Sequence, residues 1–167
     1  SLRETFRAPK EFAREHDLSM DVCMMNDVPG FAQDLPDVMA EAGISYFIGG
    51  VNAGFRQNYT MTDSEGLYYW EGPKGGRVLT WVPPMDYMQA VTYRSTSNIE
   101  EFVKEMEEAG YPYDVIPILA AHDNRGYRPG FQAYLNLVKD QIFLTGIEVV
   151  LGTPSDFFKH VEEKYSD

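Results

Sequence analysis

Two apolar runs with a helix pattern between them place the strongest limit on how this chain can fold. Residues 18–25 are mostly apolar and bounded by polar residues, which predicts a buried strand. Residues 34–43 carry an N-cap candidate, a proline in the first turn and a closing glycine, which predict a short helix. Residues 44–51 are apolar again and predict a second buried strand. A strand, a helix and a strand in this order predict a parallel βαβ unit.

The same alternation continues along the chain and predicts an α/β fold with parallel strands. Residues 52–66 form a long polar and glycine-rich loop, and long loops in compact domains are often functional. The glycines of residues 72–76 precede a strand, so they predict a hairpin-like turn rather than a phosphate-binding loop. Further strands are predicted at residues 77–82, 115–121 and 148–153, the second despite its internal proline. Helices are predicted before His16, with a break at Pro9, and at residues 98–109, 131–144 and 154–165.

Composition limits the partners of the chain. Its length of 167 residues predicts a single domain, and the net charge of -12 argues against binding nucleic acid or an anionic membrane. No run of about 18 apolar residues is present that could span a membrane. Cys23 is the only cysteine, so the chain can form neither an internal disulfide nor a cysteine-based zinc knuckle. A neutral ligand such as a sugar remains compatible with this charge.

Two acids follow predicted strands and are the first candidates for chemistry. Asp27 follows residues 18–25 and Asp123 follows residues 115–121, so in a parallel sheet both lie at the same rim. Retaining glycosidases need such a pair, one carboxylate to attack the anomeric carbon and one carboxyl to protonate the leaving oxygen. Each aspartate could equally cap a following turn. His122 is open to two readings, a metal ligand or sugar-binding donor and a loop histidine with local hydrogen bonds.

Three stretches of the chain resemble a known family in their order and spacing. Residues 26–31 (NDVPGF) are followed by a helix pattern and by residues 43–47 (GISYF), residues 69–81 read YWEGPKGGRVLTW, and residues 152–158 read GTPSDFF. Together they resemble the catalytic domain of glycoside hydrolase family 38, the α-mannosidases. The resemblance covers roughly residues 15 to 165.

This resemblance implies a fold and an activity. The fold would be part of a seven-stranded (β/α) barrel of the glycoside hydrolase and deacetylase type, with residues 1–167 as a single domain, the C-terminal part of that barrel. The parent would be a zinc-dependent retaining glycosidase acting on α-mannosides or similar sugars. Its compartment is left open, with a secreted or periplasmic parent as one option.

Roles for individual residues follow from the same resemblance. Asp27 matches the catalytic nucleophile, which is also a zinc ligand, and Asp123 matches the general acid or base. The turn around Asp123 reads AHDN where the family has Gly-Asp-Asp-Phe, so one acid and the aromatic residue are replaced. The family's other zinc ligands have no counterpart here, so we expect the isolated chain to be inactive and to depend on the remainder of a parent polypeptide. Expected substrate-binding residues are Asn52, Tyr69, Trp70 and His122.

Two alternatives remain at this stage. A polysaccharide deacetylase has a related barrel and a strand-end aspartate pair, but its Thr-Phe-Asp-Asp-Gly and His-x-x-x-His motifs are missing. A non-catalytic carbohydrate-binding or structural domain could instead use Tyr69, Trp70 and Trp81 as stacking platforms. Most of the aromatic residues are expected to be core in any case.

Overall fold

The computed structural model describes residues 2–28, 30–50, 66–83, 87, 96–119, 136, 139 and 145–165. Within these ranges the chain forms helices on both faces of one sheet. The elements in chain order are α1 (Leu2–Glu15), β1 (Val22–Asn26), α2 (Leu35–Glu41), β2 (Tyr46–Gly50), β3 (Leu67–Glu71), β4 (Arg77–Trp81), α3 (Thr96–Glu108) and α4 (Pro154–Tyr165).

The sheet has four strands in the order β1-β2-β4-β3. β1 pairs parallel to β2, and β2 pairs parallel to β4, so the predicted βαβ unit is confirmed. β3 runs antiparallel to β4. Only five residues separate Glu71 from Arg77, which is too few for the crossover that a parallel pair needs. The turn therefore reverses the chain, and the hairpin-like turn predicted for residues 72–76 is confirmed.

The prediction of a partial seven-stranded parallel barrel is wrong. The structure has a four-stranded mixed sheet with one antiparallel pair, within a small α/β domain. Strands were expected at residues 115–121 and 148–153. Residues 115–119 and 148–153 form none, and residues 120 and 121 lie outside the described residues. The first contains Pro117, which has no backbone N–H to donate to a ladder. The predicted helix at residues 131–144 lies outside the described residues except for residues 136 and 139.

The helix α1 continues through Pro9, contrary to the predicted break. Proline removes one helical hydrogen bond and is usually unfavourable inside a helix. Phe6 and Ala13, on either side of it, are both buried. Burial of this face on both sides of the proline offsets the lost hydrogen bond and keeps the helix continuous. Pro9 itself is exposed, so its ring meets solvent rather than the sheet.

Two hydrophobic clusters cover the two faces of the sheet. Alternate residues of β2 point to opposite faces, so Tyr46 and Ile48 enter one cluster and Phe47 enters the other. The first cluster is closed by α3 and α4, through residues such as Phe102 and Phe158. The second is closed by α1 and α2 and includes Phe6, Leu35, Val38 and Met39. No helix among the described residues is long and apolar enough to cross a membrane.

The turn between β3 and β4 is fastened to α2 by Asp37, whose side chain is buried. The backbone N–H of Gly76 donates to Asp37 Oδ1 at 2.7 Å, and the N–H of Lys74 donates to both carboxylate oxygens at 3.1 and 3.2 Å. The approach is so close that a Cβ on Gly72 would lie 2.6 Å from the Asp37 carboxyl. Glycine at this position is therefore required by contact with α2.

Candidate functional site

Asp27 lies immediately beyond the carboxyl end of β1, as the sequence predicts. Its backbone N–H donates to the carbonyl of Gly50 at 2.8 Å, which ties it to the last residue of β2. Its φ of 56° is in the left-handed region, which non-glycine residues adopt uncommonly. The residue is exposed. The end of the sheet thus presents an acid on a backbone held in an unusual conformation.

Close packing around Gly50 supports this conformation. A Cβ at Gly50 would lie 2.1 Å from Asn26 Oδ1 and 2.6 Å from Tyr87 Cβ. Tyr87 is buried, so a residue beyond β4 closes over the ends of β1 and β2. The Asn26 side chain also packs against Gly50, so only a residue without a side chain fits at position 50. The backbone at Asp27 is therefore attached to a closely packed part of the structure.

Asn26 contributes an unusual polar atom at this rim. Its Oδ1 is buried and accepts no hydrogen bond from any described residue, whereas its Nδ2 donates to Met24 Sδ at 3.3 Å. A buried acceptor without a donor costs free energy. The amide is held there by packing against Gly50 and Tyr87.

Phe31 packs below the same rim. Its ring meets Phe47 edge to face at 5.1 Å between centroids and lies 6.1 Å from the Trp70 ring. A Cβ on Gly49 would come within 3.1 Å of Phe31. The loop after Asp27 is thus folded back onto the sheet by an aromatic contact, which holds both ends of the Asp27 turn.

Tyr69 and Trp70, two of the predicted substrate-binding residues, lie at the opposite end of the sheet from Asp27. Tyr69 is in register with Leu79, Leu79 with Tyr46, and Tyr46 with Val22, the first residue of β1. Four steps of about 3.3 Å separate that row from the row of Asn26, about 13 Å in all. The structure therefore does not bring Tyr69 together with Asp27, whereas the Trp70 ring reaches Phe31 in the loop that follows Asp27.

The contacts of these two aromatic residues differ. Trp70 packs with Phe31 and Phe47 in the cluster under α1 and α2. Tyr69 lies on the other face, where the Arg77 guanidinium stacks 3.7 Å from its ring centroid and its hydroxyl donates to Glu162 at 3.4 Å. Their assignment to substrate binding stays a prediction.

Asn52, His122 and Asp123 lie outside the described residues, so their predicted roles also remain predictions. Among the residues that are described, no three His, Cys, Asp or Glu side chains are close enough to hold a metal ion. Asp27 offers one carboxylate, whereas zinc in enzymes takes three or four protein ligands. The described residues therefore do not fit zinc by themselves.

A polar network that sequence reasoning missed fixes α4 at the amino end of the strands. Ser155 Oγ donates to Asp21 Oδ1 at 2.7 Å, and the Tyr46 hydroxyl donates to Glu162 Oε2 at 2.6 Å. Burial, followed by the neighbouring Glu162 carboxylate, raises the pKa of Tyr46. Each partner lies more than 100 residues from the other along the chain. Local sequence carries no signal for such pairs.

A second network joins the segment after α3 to the last turns of α4. Asp114 accepts hydrogen bonds from Lys164, from His160 Nε2 at 3.0 Å and from the Tyr165 hydroxyl at 2.8 Å. The contact with Lys164, then those with His160 and Tyr165, hold the pKa of Asp114 below its ordinary value. This network fixes α4 as well.

Comparison with known protein families identifies the relatives of this chain. The model of the glycosyl hydrolases family 38 N-terminal domain matches residues 4–167. The chain therefore belongs to glycosyl hydrolase family 38, and the resemblance seen in the sequence is confirmed.

Similar proteins are α-mannosidases. The chain is 25% identical over 169 residues to α-mannosidase G of Dictyostelium discoideum, which covers 96% of this chain and 14% of that protein. The crystal structure of an α-mannosidase from Enterococcus faecalis V583 matches with a TM-score of 0.72 at 14% identity, over 98% of this chain and 19% of that one. The structural likeness shows a shared fold. The chain spans less than a fifth of the length of either relative.

Proposed function

We propose that this chain is part of a larger glycosidase that hydrolyses α-mannosides or similar sugars, and that Asp27 is its nucleophile. Membership of family 38 supports the glycosidase class. The observation that carries the residue assignment is the backbone of Asp27, which has a φ of 56° at the carboxyl end of β1. Unusual backbone conformations persist where surrounding structure over-determines them, and they cluster at active sites.

The environment of Asp27 suits a nucleophile. The residue is exposed and can meet a substrate, while its backbone is held by Gly50 and by the packing of Asn26 and Tyr87 beneath it. A catalytic side chain on a fixed backbone needs less reorganisation when a sugar arrives than one on a mobile loop. The same rim lies at the carboxyl ends of the parallel strands, where ligand sites of open α/β sheets are found.

The reaction would follow the retaining course. An Asp27 carboxylate oxygen bonds to the anomeric carbon as the bond from that carbon to the leaving oxygen breaks, and a second carboxyl donates a proton to that oxygen. Water then cleaves the glycosyl ester with the second group acting as base. Asp123 is our candidate for that group. A separation of the two carboxyls near the roughly 5 to 5.5 Å of retaining enzymes is the geometric requirement.

The proposed enzyme would also bind zinc, which takes no part in the steps described above. Asp27 would be one ligand, and the remaining ligands would come from the longer polypeptide. When bound, zinc would orient the sugar hydroxyls. The resemblance of the sequence to family 38 is the basis for proposing four substrate-binding residues: Asn52, Tyr69, Trp70 and His122.

The test is activity of the longer parent enzyme and its Asp27→Asn variant on an aryl α-mannoside. We expect kcat to fall by about 10³-fold or more, the order seen when a nucleophile is removed. Asp17→Asn is the matched control, because Asp17 is exposed and also has a positive φ, of 53°, but lies in the turn two residues after α1 ends. Undiminished turnover in Asp27→Asn, or equal loss in both variants, would remove Asp27 from the mechanism.

A further inference from the structure

One face of α1 carries a row of basic side chains, although the chain as a whole has a net charge of -12. We call it the basic row, and its four exposed members stand three or four residues apart: Arg3, Arg7, Lys10 and Arg14. Residues at this spacing lie one above another on a helix, so the row is continuous. At about 1.5 Å per residue, the row is about 16 Å long.

A groove with an apolar lining lies beside this row, between α1 and α2. It encloses about 200 Å³ and is walled on α1 by Arg3, Arg7 and Lys10. Its apolar lining is formed by Phe6, Val38 and Ala42. Pockets that hold whole small molecules enclose about 300 to 1,000 Å³. The groove is therefore of a size to receive side chains of a docked segment.

The cations of the basic row are only weakly engaged within the chain. Arg3 pairs with Glu41 of α2 at 2.7 Å, and Arg7 pairs with Glu4 at 3.0 Å. All four of these side chains are well exposed, and ion pairs between exposed side chains contribute little. The other two members of the row form no ion pair with a described residue. The row can therefore exchange its present contacts for those of a partner.

We propose that the groove and the basic row dock an acidic amphipathic helix of a partner protein. Acidic residues at positions i, i+4 and i+7 of that helix match the spacing of Arg3, Arg7 and Lys10. Apolar side chains next to them enter the groove, as in other complexes where a helix lies in a groove. A single phosphate or carboxylate group reaches only part of a row about 16 Å long.

The acidity of the rest of the chain does not prevent this contact. Exposed charges farther apart than the Debye length, about 8 Å at physiological ionic strength, are largely screened from each other. Charges at the contact itself therefore dominate, and at this surface they are basic. The net charge of -12 lowers the rate of approach of an acidic partner more than it weakens the docked state.

A second copy of this chain offers a helix of suitable spacing without suitable apolar contacts. Glu101, Glu105 and Glu108 of α3 are exposed and stand at positions i, i+4 and i+7. The apolar residues of α3, such as Phe102 and Met106, pack in the core of their own chain. Two copies would therefore be joined by exposed ion pairs alone, which do not offset the entropy lost on association.

The test is a fluorescence-anisotropy titration with a labelled synthetic helix as the probe. The probe carries glutamates at positions i, i+4 and i+7 and leucines on the adjacent face. We expect it to bind at least about tenfold more tightly than a peptide with lysines in place of the glutamates. A peptide with serines in place of the leucines should also bind more weakly. Equal affinity for the probe and the lysine peptide would overturn the proposal, and equal affinity for the serine peptide would indicate a general polyanion site and overturn it too.

Variants of the chain locate the site. Arg7→Glu should weaken binding of the probe at least about tenfold, because it places like charges in contact. Arg7→Gln, which only removes the charge, should weaken it less. Lys104→Glu is the matched control, because Lys104 is equally exposed but lies on α3, on the other face of the sheet. Equal effects of Arg7→Glu and Lys104→Glu would overturn the proposal. Circular dichroism checks that each variant is folded.

Two further measurements test the other occupants of the groove. The same titration on the longer family 38 polypeptide should give binding that Arg7→Glu weakens; absence of binding there would show that the enzyme itself covers the groove and would overturn the proposal. Light scattering should show that the 167-residue chain is monomeric at micromolar concentration. A dimer that Arg7→Glu abolishes and Glu105→Lys restores would assign the groove to a second copy and overturn the proposal.

Discussion

Removing the Asp37 carboxylate should destabilise the chain far more than removing its neighbour Asp34. In Asp37→Ala the amides of Lys74 and Gly76 lose a charged acceptor, and each such hydrogen bond contributes about 1.5 to 3 kcal/mol. Lys74 is exposed, so water can replace part of the loss, and the carboxylate no longer has to be buried. We therefore expect a net loss of about 2 to 4 kcal/mol in the free energy of unfolding.

Urea unfolding followed by tryptophan fluorescence measures this loss directly, because Trp70 and Trp81 lie on the two strands that the Asp37 turn connects. Asp34→Ala is the control: Asp34 is exposed, stands at the start of the same helix, and its side chain makes no capping hydrogen bond. It should change stability by less than about 0.5 kcal/mol. Equal losses in the two variants would refute the role given to Asp37.

The glycines of the turn sharpen the same prediction. The three atoms nearest to a Cβ on Gly72 all belong to the Asp37 carboxyl, whereas a Cβ on Gly76 would lie 2.4 Å from Asp37 Cα. Asp37→Ala should therefore remove most of the cost of Gly72→Ala and leave the cost of Gly76→Ala. A double-mutant cycle measures both couplings. Equal coupling at the two glycines would contradict the described contact.

Two further predictions concern the two ends of the sheet. Gly50→Ala should lower the free energy of unfolding by about 1 to 3 kcal/mol or more, because the added methyl group overpacks Asn26 and Tyr87. Urea unfolding measures this loss, and Gly152→Ala is the control, since its Cβ would meet nothing closer than 3.5 Å and should cost little. Similar losses in the two variants would contradict the packing described at Gly50. Asp114→Asn should lower stability at neutral pH, because Lys164, then His160 and Tyr165, depress the pKa of Asp114. A carboxyl whose pKa is lower in the folded state than in the unfolded state stabilises the fold above its unfolded pKa, which is near 4. That stabilisation is lost as the pH falls. The difference between wild type and variant should therefore shrink below about pH 4, and a difference that grew there would contradict the assignment.

Local patterns in the sequence were enough to predict the first half of the sheet. The apolar runs, with Pro36 near the start and Gly43 at the end of the helix pattern between them, predict α2 between two strands. The structure has β1 at Val22–Asn26, α2 at Leu35–Glu41 and β2 at Tyr46–Gly50. The final helix was predicted from its opening residues. Asp156 Oδ2 accepts from the N–H and Oγ1 of Thr153 at 2.7 Å, which supplies a capping interaction at the start of this helix.

The errors came from interactions between distant residues. Residues 67–71 read LYYWE and form β3, a strand the sequence reading omitted. Its direction is set by a five-residue turn, and that turn is held by Asp37, which lies 39 residues before Gly76. An alternating α/β pattern does not reveal such a pairing, so the parallel arrangement was extended too far. Strand-like composition at residues 148–153 likewise did not produce a strand.

The candidate site was predicted in part. The position of Asp27 at the end of a strand follows from the apolar run before it. The fit of Asn26 against Gly50 and Tyr87, and the left-handed backbone of Asp27, depend on packing between separate elements. A pair of glycines ending an apolar strand, Gly49 and Gly50, was the available signal for close backbone approach. Placing Tyr69 and Trp70 required the antiparallel register of β3, which the sequence pattern did not provide.

The most direct test of the central claim is to trap the covalent intermediate. The longer enzyme would be incubated with a slow fluorinated mannoside that forms the glycosyl ester but hydrolyses slowly, then digested and analysed by mass spectrometry. The account predicts one sugar per enzyme, attached to the peptide that carries Asp27 and located at that residue by fragmentation. A sugar attached to a different carboxylate would contradict the assignment of Asp27 as nucleophile.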